Sequence, residues 1–503
     1  MEQFITTILS FLLFLLVILK VVARERFNST PKLPPGPWKL PVLGNLHNLI
    51  GSISHHRLRD LANKYGPLMH LQFGEHSHIV VISSPEIAQE MIKTHDINFS
   101  GRSNPHATSI LETMGIIFAP YGDYWKKVRK ICSEELLRPS RVKSFRSIRE
   151  EEVSNLIRYL YSNAGVSINL SEKIFSMTYA ITARAAFGKK CKNQKNFISA
   201  VNEGQEFVGS FSLCELFPSH KWLQWIFGIT SKLEEIFQTS DRIFGDIIKE
   251  CEAEMAAMND KGGKASSLLG VLLNIKEDGD LELPLKTENI RDILTDIFVA
   301  GSDTSSITLE WAMLELIKNP RVMRKAQAEV RQVFGSKEQV DETGLHELKF
   351  LSLVIKETLR LHPPAPFLIP RETKESCALN GYHIPAKTKV LVNAWAIGRD
   401  PRYWTEAEKF YPERFIDSAV DFKGSNFELI PFGVGRRICP GISFAIANIE
   451  LPLAQLLYHF DWKLPHGINH ENLDMTEISG LLVKRKEDLH LIPVPRSSVP
   501  SSS

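Results

Sequence analysis

Residues 431–441 read PFGVGRRICPG and set one thiol, Cys439, among three glycines, two arginines and two prolines. Such a stretch is a poor helix and a poor strand. Glycine at 433, 435 and 441 lets backbone approach a partner closely and adopt φ > 0. A thiolate needs positive charge or amide donors nearby. Arg436 and Arg437 offer the charge, and the apolar run ISFAIANIELPLAQLLYHF after Gly441 turns a helix N-terminus toward the sulfur. No His/Asp pair lies close by for cysteine-hydrolase chemistry. The other use of a thiolate in such a loop is axial ligation of haem iron.

Two further constellations carry polar groups into apolar surroundings. Residues 287–319 read as one long helix closed by Pro320, with Ile290, Ile293, Leu294, Ile297, Phe298, Gly301, Thr304, Ile307 and Trp311 on one stripe. Its centre, AGSDTS, is small and polar. Gly there costs up to about 1 kcal/mol against Ala. Gly301 would let a flat ligand press on the helix, and Asp303 with Thr304 would deliver protons where the helix bulges. In KETLR, Glu357 and Arg360 are three apart on one helix face. Their flanks are apolar, and a buried Arg needs more than one partner. Arg414 of FYPERF supplies the third member of a Glu357–Arg360–Arg414 network with a structural role.

The elements that must position these groups are mostly helices. Residues 50–375 carry apolar positions at three and four spacing, as in HHRLRDLANKY. LMHLQFGEHSHIVVI (68–82) alternates and predicts a hairpin, and a second strand region falls between Cys377 and Val392. KGGKASS (261–267) reads as a loop. No repeat or composition break divides this body, which reads as one mainly α (α+β) domain over 46–495 with small sheets, followed by a disordered tail, 496–503. Ahead of it, residues 4–19 carry no charge; with Lys20 snorkelling, the apolar run reaches Ala23. Glu2 opens the chain and Lys20, Arg24 and Arg26 follow the run. This predicts an uncleaved anchor, 1–23, with everything after it in the cytosol. Residues 24–45 form a basic and Pro-rich hinge. Six dispersed cysteines without C-x-x-C argue against a disulfide scaffold or a Cys-rich zinc site. The net charge of +2 gives no reason for nucleic acid as a partner.

Phe432-x-x-Gly435-x-Arg437-x-Cys439-x-Gly441 resembles the haem-binding signature of the cytochrome P-450 family of haem-thiolate monooxygenases. AGSDTS, KETLR and YPERF are similar to that family's oxygen-activation, Glu-x-x-Arg and Pro-Glu-Arg-Phe motifs, in its order, and WKKVR (125–129) to its third-helix motif. LPPGPWKLPVLGN and LHPPAP resemble the plant microsomal type acting on terpenoids, alkaloids and phenolics. Tyr411 before Pro412 is a minor variation.

The resemblance implies haem b, with Cys439 on the iron and Phe432 packed beside it. Trp125, Arg129, Arg371 and Arg437 would meet the haem propionates. Lys126 and Lys130 would face an acidic electron donor: NADPH–cytochrome P-450 reductase, or cytochrome b5. The chain has no GxGxxG opening a βαβ unit, so NADPH must be oxidised elsewhere. The implied location is the endoplasmic reticulum membrane, single-pass, with the catalytic domain cytosolic. Substrate would be lined by the 110–118 segment with Ile110, Met114 and Phe118, by Phe298 and Ala300, by Ala365 and Ile369, and by Ile478 and Leu481. These side chains are aliphatic or aromatic, which suits a sesquiterpene or diterpene; an alkaloid or phenolic substrate is the alternative. A haem-thiolate isomerase or dehydratase would be expected to lose the polar helix centre, which is intact here.

Overall fold

Strict alternation splits the first hairpin between two cores. In the computed structural model, which describes residues 32–49, 53–74, 77–102, 115–189, 203, 229–259, 267–278, 285–335, 340–465, 468–478 and 480–496, the strands are β1 (Leu68–Phe73), β2 (Ser77–Ile82), β3 (Ile168–Asn169), β4 (Arg371–Glu372), β5 (Cys377–Leu379), β6 (Tyr382–Ile384), β7 (Lys389–Val392), β8 (Phe460–Lys463), β9 (Glu477–Ile478), β10 (Lys484–Arg485) and β11 (His490–Pro495). β1 and β2 pair antiparallel, β2 runs parallel to β7, and β4 closes the order β1-β2-β7-β4. Met69, Leu71, Ile79 and Val81 point to one side, onto Leu58 and Leu61. Leu68, Val80 and Ile82 point to the other, onto Ile87 and Met91. A period of two requires this division. The 377–392 region forms the hairpin β5–β6 and then β7. Asn380 and Gly381, both with positive φ, make the tight turn of that hairpin. β3, β11 and β8 form a third sheet, and β9–β10 a last hairpin.

The helices are α1 (Ser54–Tyr65), α2 (Pro85–His95), α3 (Asp123–Ile131), α4 (Pro139–Ser144), α5 (Arg146–Ser162), α6 (Leu170–Phe187), α7 (Ile229–Asn259), α8 (Leu268–Asp278), α9 (Thr287–Lys318), α10 (Pro320–Phe334), α11 (Lys349–Leu361), α12 (Ala394–Ile397) and α13 (Ile442–His459). α9 is the long helix of the AGSDTS centre and stops before Pro320, as the sequence predicts; Pro320 itself starts the next helix. α9 crosses the main core between α6 and α13 and is buried on nearly all sides. The expected bulge at its centre is absent. The α pattern continues through 300–305, with Ser302, Thr304 and Ser305 each donating its hydroxyl to a carbonyl four residues earlier, which satisfies these side chains without opening the helix. Residues 32–45 run against β1: His70 N–H donates to Pro35 O, and the Asn45 amide donates to Pro37 O and Trp38 O.

The expected anchor, 1–23, the tail from 497 and most of the 261–267 loop lie outside the described residues. Among the described residues no helix is long and apolar enough to cross a membrane.

Candidate active site

A cavity of about 430 Å³ lies between α9 and the loop that carries Cys439. The loop is shaped from within. Cys439 N–H donates to Phe432 O at 2.9 Å, and Gly433 and Gly435 hold φ of 74° and 68°. At Gly435 a Cβ would also lie 2.8 Å from Asp96 Oδ1, so no other residue fits this bend. The thiol faces the cavity. Burial pushes its pKa up, and the Gly441 N–H, 3.3 Å from Sγ, and Arg129 pull it down.

The charge near the sulfur differs from the expectation. Arg436 turns away to Asp96, 3.4 Å off, and over Tyr121. Arg437 stacks on Trp125 at 4.1 Å and donates to the carbonyls of Ser100, Ile116 and Ala119. Arg129, four residues along α3 from Trp125, is the cation beside Cys439.

Arg129, Arg371 and Arg437 converge on the cavity with Phe432, Trp125, Thr304, Ala300, Phe118, Ala365, Ile369 and Leu481. The Trp125 indole N–H is engaged with Ile116 O at 3.0 Å. Ile110 and Met114 lie outside the described residues. Two expected lining residues are elsewhere. Phe298 is buried against Tyr179 and Phe187 in the core, and Ile478 is half exposed at the end of β9, away from the cavity. The AGSDTS pair also separates. Thr304 lines the cavity and donates to Ala300 O at 2.6 Å. Asp303 points behind α9, accepts a hydrogen bond from Tyr179 Oη, and lies 3.8 Å from Lys484 Nζ. Gly301 serves two purposes: it lines the cavity, and a Cβ there would come within 3.2 Å of Phe444 and 3.4 Å of Thr182, where α9 meets α13 and α6.

The Glu357–Arg360–Arg414 network forms as expected. Arg360 donates to both Glu357 oxygens at 2.7 and 2.8 Å, and Arg414 Nε to Glu357 Oε1 at 3.0 Å.

Two cavity residues were missed. Arg102 is partly buried and donates to Ile117 O, Ile369 O and Pro370 O, tying two walls together. Burial first, then Arg371 and Arg437, hold its guanidinium well below the usual range. Asp296 lies one turn before Ala300 and accepts from Ile117 N–H at 2.8 Å. A Cβ at Gly115 would lie 2.2 Å from Asp296 Oδ2, so the loop approaches this carboxyl only because residue 115 is glycine. Local sequence gives no signal for either: Arg102 sits in a polar loop, and Asp296 resembles any solvated acid of a helix.

Burial, with the charge of Asp292, pushes Asp296 up from 3.8 to about 7. The folded chain therefore holds this proton more tightly than the unfolded chain between those two values, and stability falls as pH rises through that window. Asp296→Asn keeps an acceptor for Ile117. It should flatten the decline in unfolding midpoint between about pH 5 and 7; an unchanged slope would remove Asp296 as its source.

The chain was compared with known proteins. The profile of the family described as Cytochrome P450 matches residues 34–492. The chain is 52% identical over 495 residues to desmethyl-deoxy-podophyllotoxin synthase of Sinopodophyllum hexandrum, covering 98% of this chain and 97% of that protein. It is 50% identical to tabersonine 6,7-epoxidase isoform 1 of Catharanthus roseus and 49% identical to premnaspirodiene oxygenase of Hyoscyamus muticus, each with 98% of both chains covered. Among solved structures, a zebra fish cytochrome P450 with abiraterone superposes with a TM-score of 0.73 at 24% identity, covering 88% of this chain and 99% of that one.

Proposed function

Because the chain belongs to the cytochrome P450 family and is a monooxygenase that uses haem b and electrons from a redox partner, we propose that it oxidises a small apolar specialised metabolite, a terpenoid, in the cavity above Cys439. The observation that carries this reading is the chemistry of the cavity. One thiol stands at its base, and aliphatic side chains of Ala300, Ala365, Leu368, Ile369 and Leu481 cover the side where substrate would sit. The relatives' names include premnaspirodiene oxygenase, which favours a terpenoid, and tabersonine 6,7-epoxidase, which keeps an alkaloid as the second reading.

The residues fit haem. Five arginines line one cavity: Arg291 is paired with Asp241 and Asp292, and the other four are Arg102, Arg129, Arg371 and Arg437. Burial lowers the pKa of each of these four, to about 10 for Arg371 and about 9 for Arg437, and for Arg102 and Arg437 mutual repulsion lowers it further. Asp96, 3.8 Å from Arg371, offsets only part of this charge. Two propionates would offset more of it, and Cys439 would hold the iron with Phe432 beside it. Bound haem supplies the activation of dioxygen that inserts one oxygen atom into a substrate.

The chain's own residues do the rest. The Cys439 loop offers the Gly441 N–H to the sulfur. The apolar wall excludes water and orients substrate by shape. The Thr304 hydroxyl is the cavity group that holds a proton near the reacting atoms, with Asp303, Tyr179 and Lys484 one layer behind. Positioned proton donors contribute on the order of 10²-fold or more. Thr304→Ala should therefore keep haem and substrate binding but lower product per NADPH about tenfold, with peroxide as the waste; unchanged coupling would remove Thr304 from this role.

Exposed Lys126 and Lys130 on α3 suit the acidic surface of NADPH–cytochrome P-450 reductase. The proposed location is the endoplasmic reticulum membrane, held by residues 1–23, with the catalytic body cytosolic. Protease added outside intact microsomes should digest that body; protection would reverse the topology. The function itself is tested by microsomes carrying this chain and a reductase, supplied with sesquiterpene and diterpene hydrocarbons and with indole alkaloids. Turnover of alkaloids alone would overturn the terpenoid reading.

A further inference from the structure

Away from the haem cavity, three imidazoles crowd one carboxylate. His55 and His56 stand in the first turn of α1, His362 follows α11, and Glu477 opens β9. His55 Nε2 lies 2.8 Å and His56 Nε2 3.3 Å from Glu477 Oε2, and the three ligand atoms fall within 4.8 Å of one another. His362 Nδ1 lies 3.8 Å from the other oxygen, Oε1.

The hydrogen bonding of this cluster is incomplete. His56 Nε2 and His362 Nδ1 are both buried and make no hydrogen bond among the described residues, though each ring nitrogen lies beside Glu477. His362 is more than nine-tenths buried. Its Nε2 is committed to Glu315 Oε1 at 2.8 Å, and its ring stacks on Trp311 at 3.9 Å, so Nδ1 is fixed in place. His56 is fixed as well, stacked on Trp395 at 4.2 Å. Charge points the same way. Glu315 and Glu477 are both buried, each beside a histidine at 2.8 Å, and Arg399 is spent on Glu408 and Leu361 O. A cation among these groups would offset buried negative charge.

We propose that His55 Nε2, His56 Nε2 and Glu477 Oε2 bind a zinc ion, with the His362 ring packed beside the second Glu477 oxygen. Two imidazoles and a carboxylate are borderline ligands that suit zinc, whose bonds to N and O are about 2.0–2.2 Å. Tetrahedral ligand atoms then stand about 3.4 Å apart, against 2.8 and 3.3 Å from Glu477 Oε2 to the two imidazoles. The His56 side chain is 38% exposed, which gives the ion an entry path and leaves room for a water ligand. Such an ion would staple the start of α1 to the β9–β10 hairpin, whose turn carries Leu481 to the cavity.

The test uses the untagged, haem-loaded full chain, stripped with a chelator, reloaded with zinc sulfate and desalted. Elemental analysis should find about one zinc per haem iron, and X-ray absorption at the zinc edge should show N/O ligands at about 2.0–2.2 Å without sulfur. His56→Ala, at a half-exposed position, should keep its haem and lose the zinc, and Glu477→Gln should lose it too. Zinc should raise the unfolding midpoint of the unsubstituted protein and leave that of His56→Ala unmoved. Unsubstituted protein that retains no zinc, a sulfur shell around the metal, or undiminished zinc in His56→Ala would each overturn the site.

Discussion

Replacing Cys439 by alanine abolishes monooxygenase activity and removes the thiolate-type band from the spectrum of the reduced carbon monoxide complex. The expectation rests on placement. Cys439 is the one thiol among the described residues that lines the cavity. Cys132 is fully buried in the core, where burial pushes its pKa to about 12, and Cys251 and Cys377 lie off the cavity. A coordinating thiol is deprotonated by its metal, so iron bound at Cys439 would reverse the upward push of burial. Cys439→Ser is the informative companion. It retains an oxygen at nearly the same point and leaves the four arginines in place, so haem should still be retained in part while the thiolate signature disappears. Cys132→Ser or Cys377→Ser should leave the spectrum as it is. A thiolate-type band persisting in Cys439→Ala would end the assignment of this residue as the ligand.

What could be read from sequence follows the range of the interactions involved. The β1–β2 hairpin and α9 were legible because their periods are local: two residues in one, about 3.6 in the other, with Pro320 as the stop. The Cys439 loop was legible because glycine, proline and thiol are adjacent in the chain. Partners set by long-range packing were not. β3 pairs with β11 across more than three hundred residues, and no local pattern encodes that choice. Phe298 shares the stripe of Thr304, yet α9 is buried on nearly every side, so a stripe cannot say which face meets the cavity and which meets Tyr179 and Phe187. Arg436 and Arg437 are neighbours in sequence but point to different places, since Asp96 captures one and three carbonyls capture the other. Arg102 and Asp296 become site residues only through loops brought together by the fold.

Glu357→Ala should be strongly destabilising. Glu357 and Arg360 are completely buried, and Arg414 is nearly so. Glu357 accepts from Arg360 twice, from Arg414, and from Tyr411 N–H at 2.8 Å. Arg360 also donates to Gly398 O, Ala407 O and Lys409 O, and Arg414 to Thr405 O, so the two guanidiniums hold the 398–411 segment by its carbonyls. Removing the carboxylate leaves two like charges buried side by side. Breaking a buried pair costs about 3–5 kcal/mol, against under about 1 kcal/mol for an exposed one. That is a large share of the roughly 5–15 kcal/mol by which a folded protein is stable. Glu357→Gln keeps an acceptor but loses the charge, and should fall between. Arg360→Lys should approach the alanine variant, because an ammonium cannot span the carboxylate and three carbonyls at once. The measurement is the denaturant midpoint for loss of bound haem, compared with Arg321→Ala, which breaks the exposed pair with Glu413. A Glu357→Ala midpoint no lower than that of Arg321→Ala would show that the network is not what holds this segment.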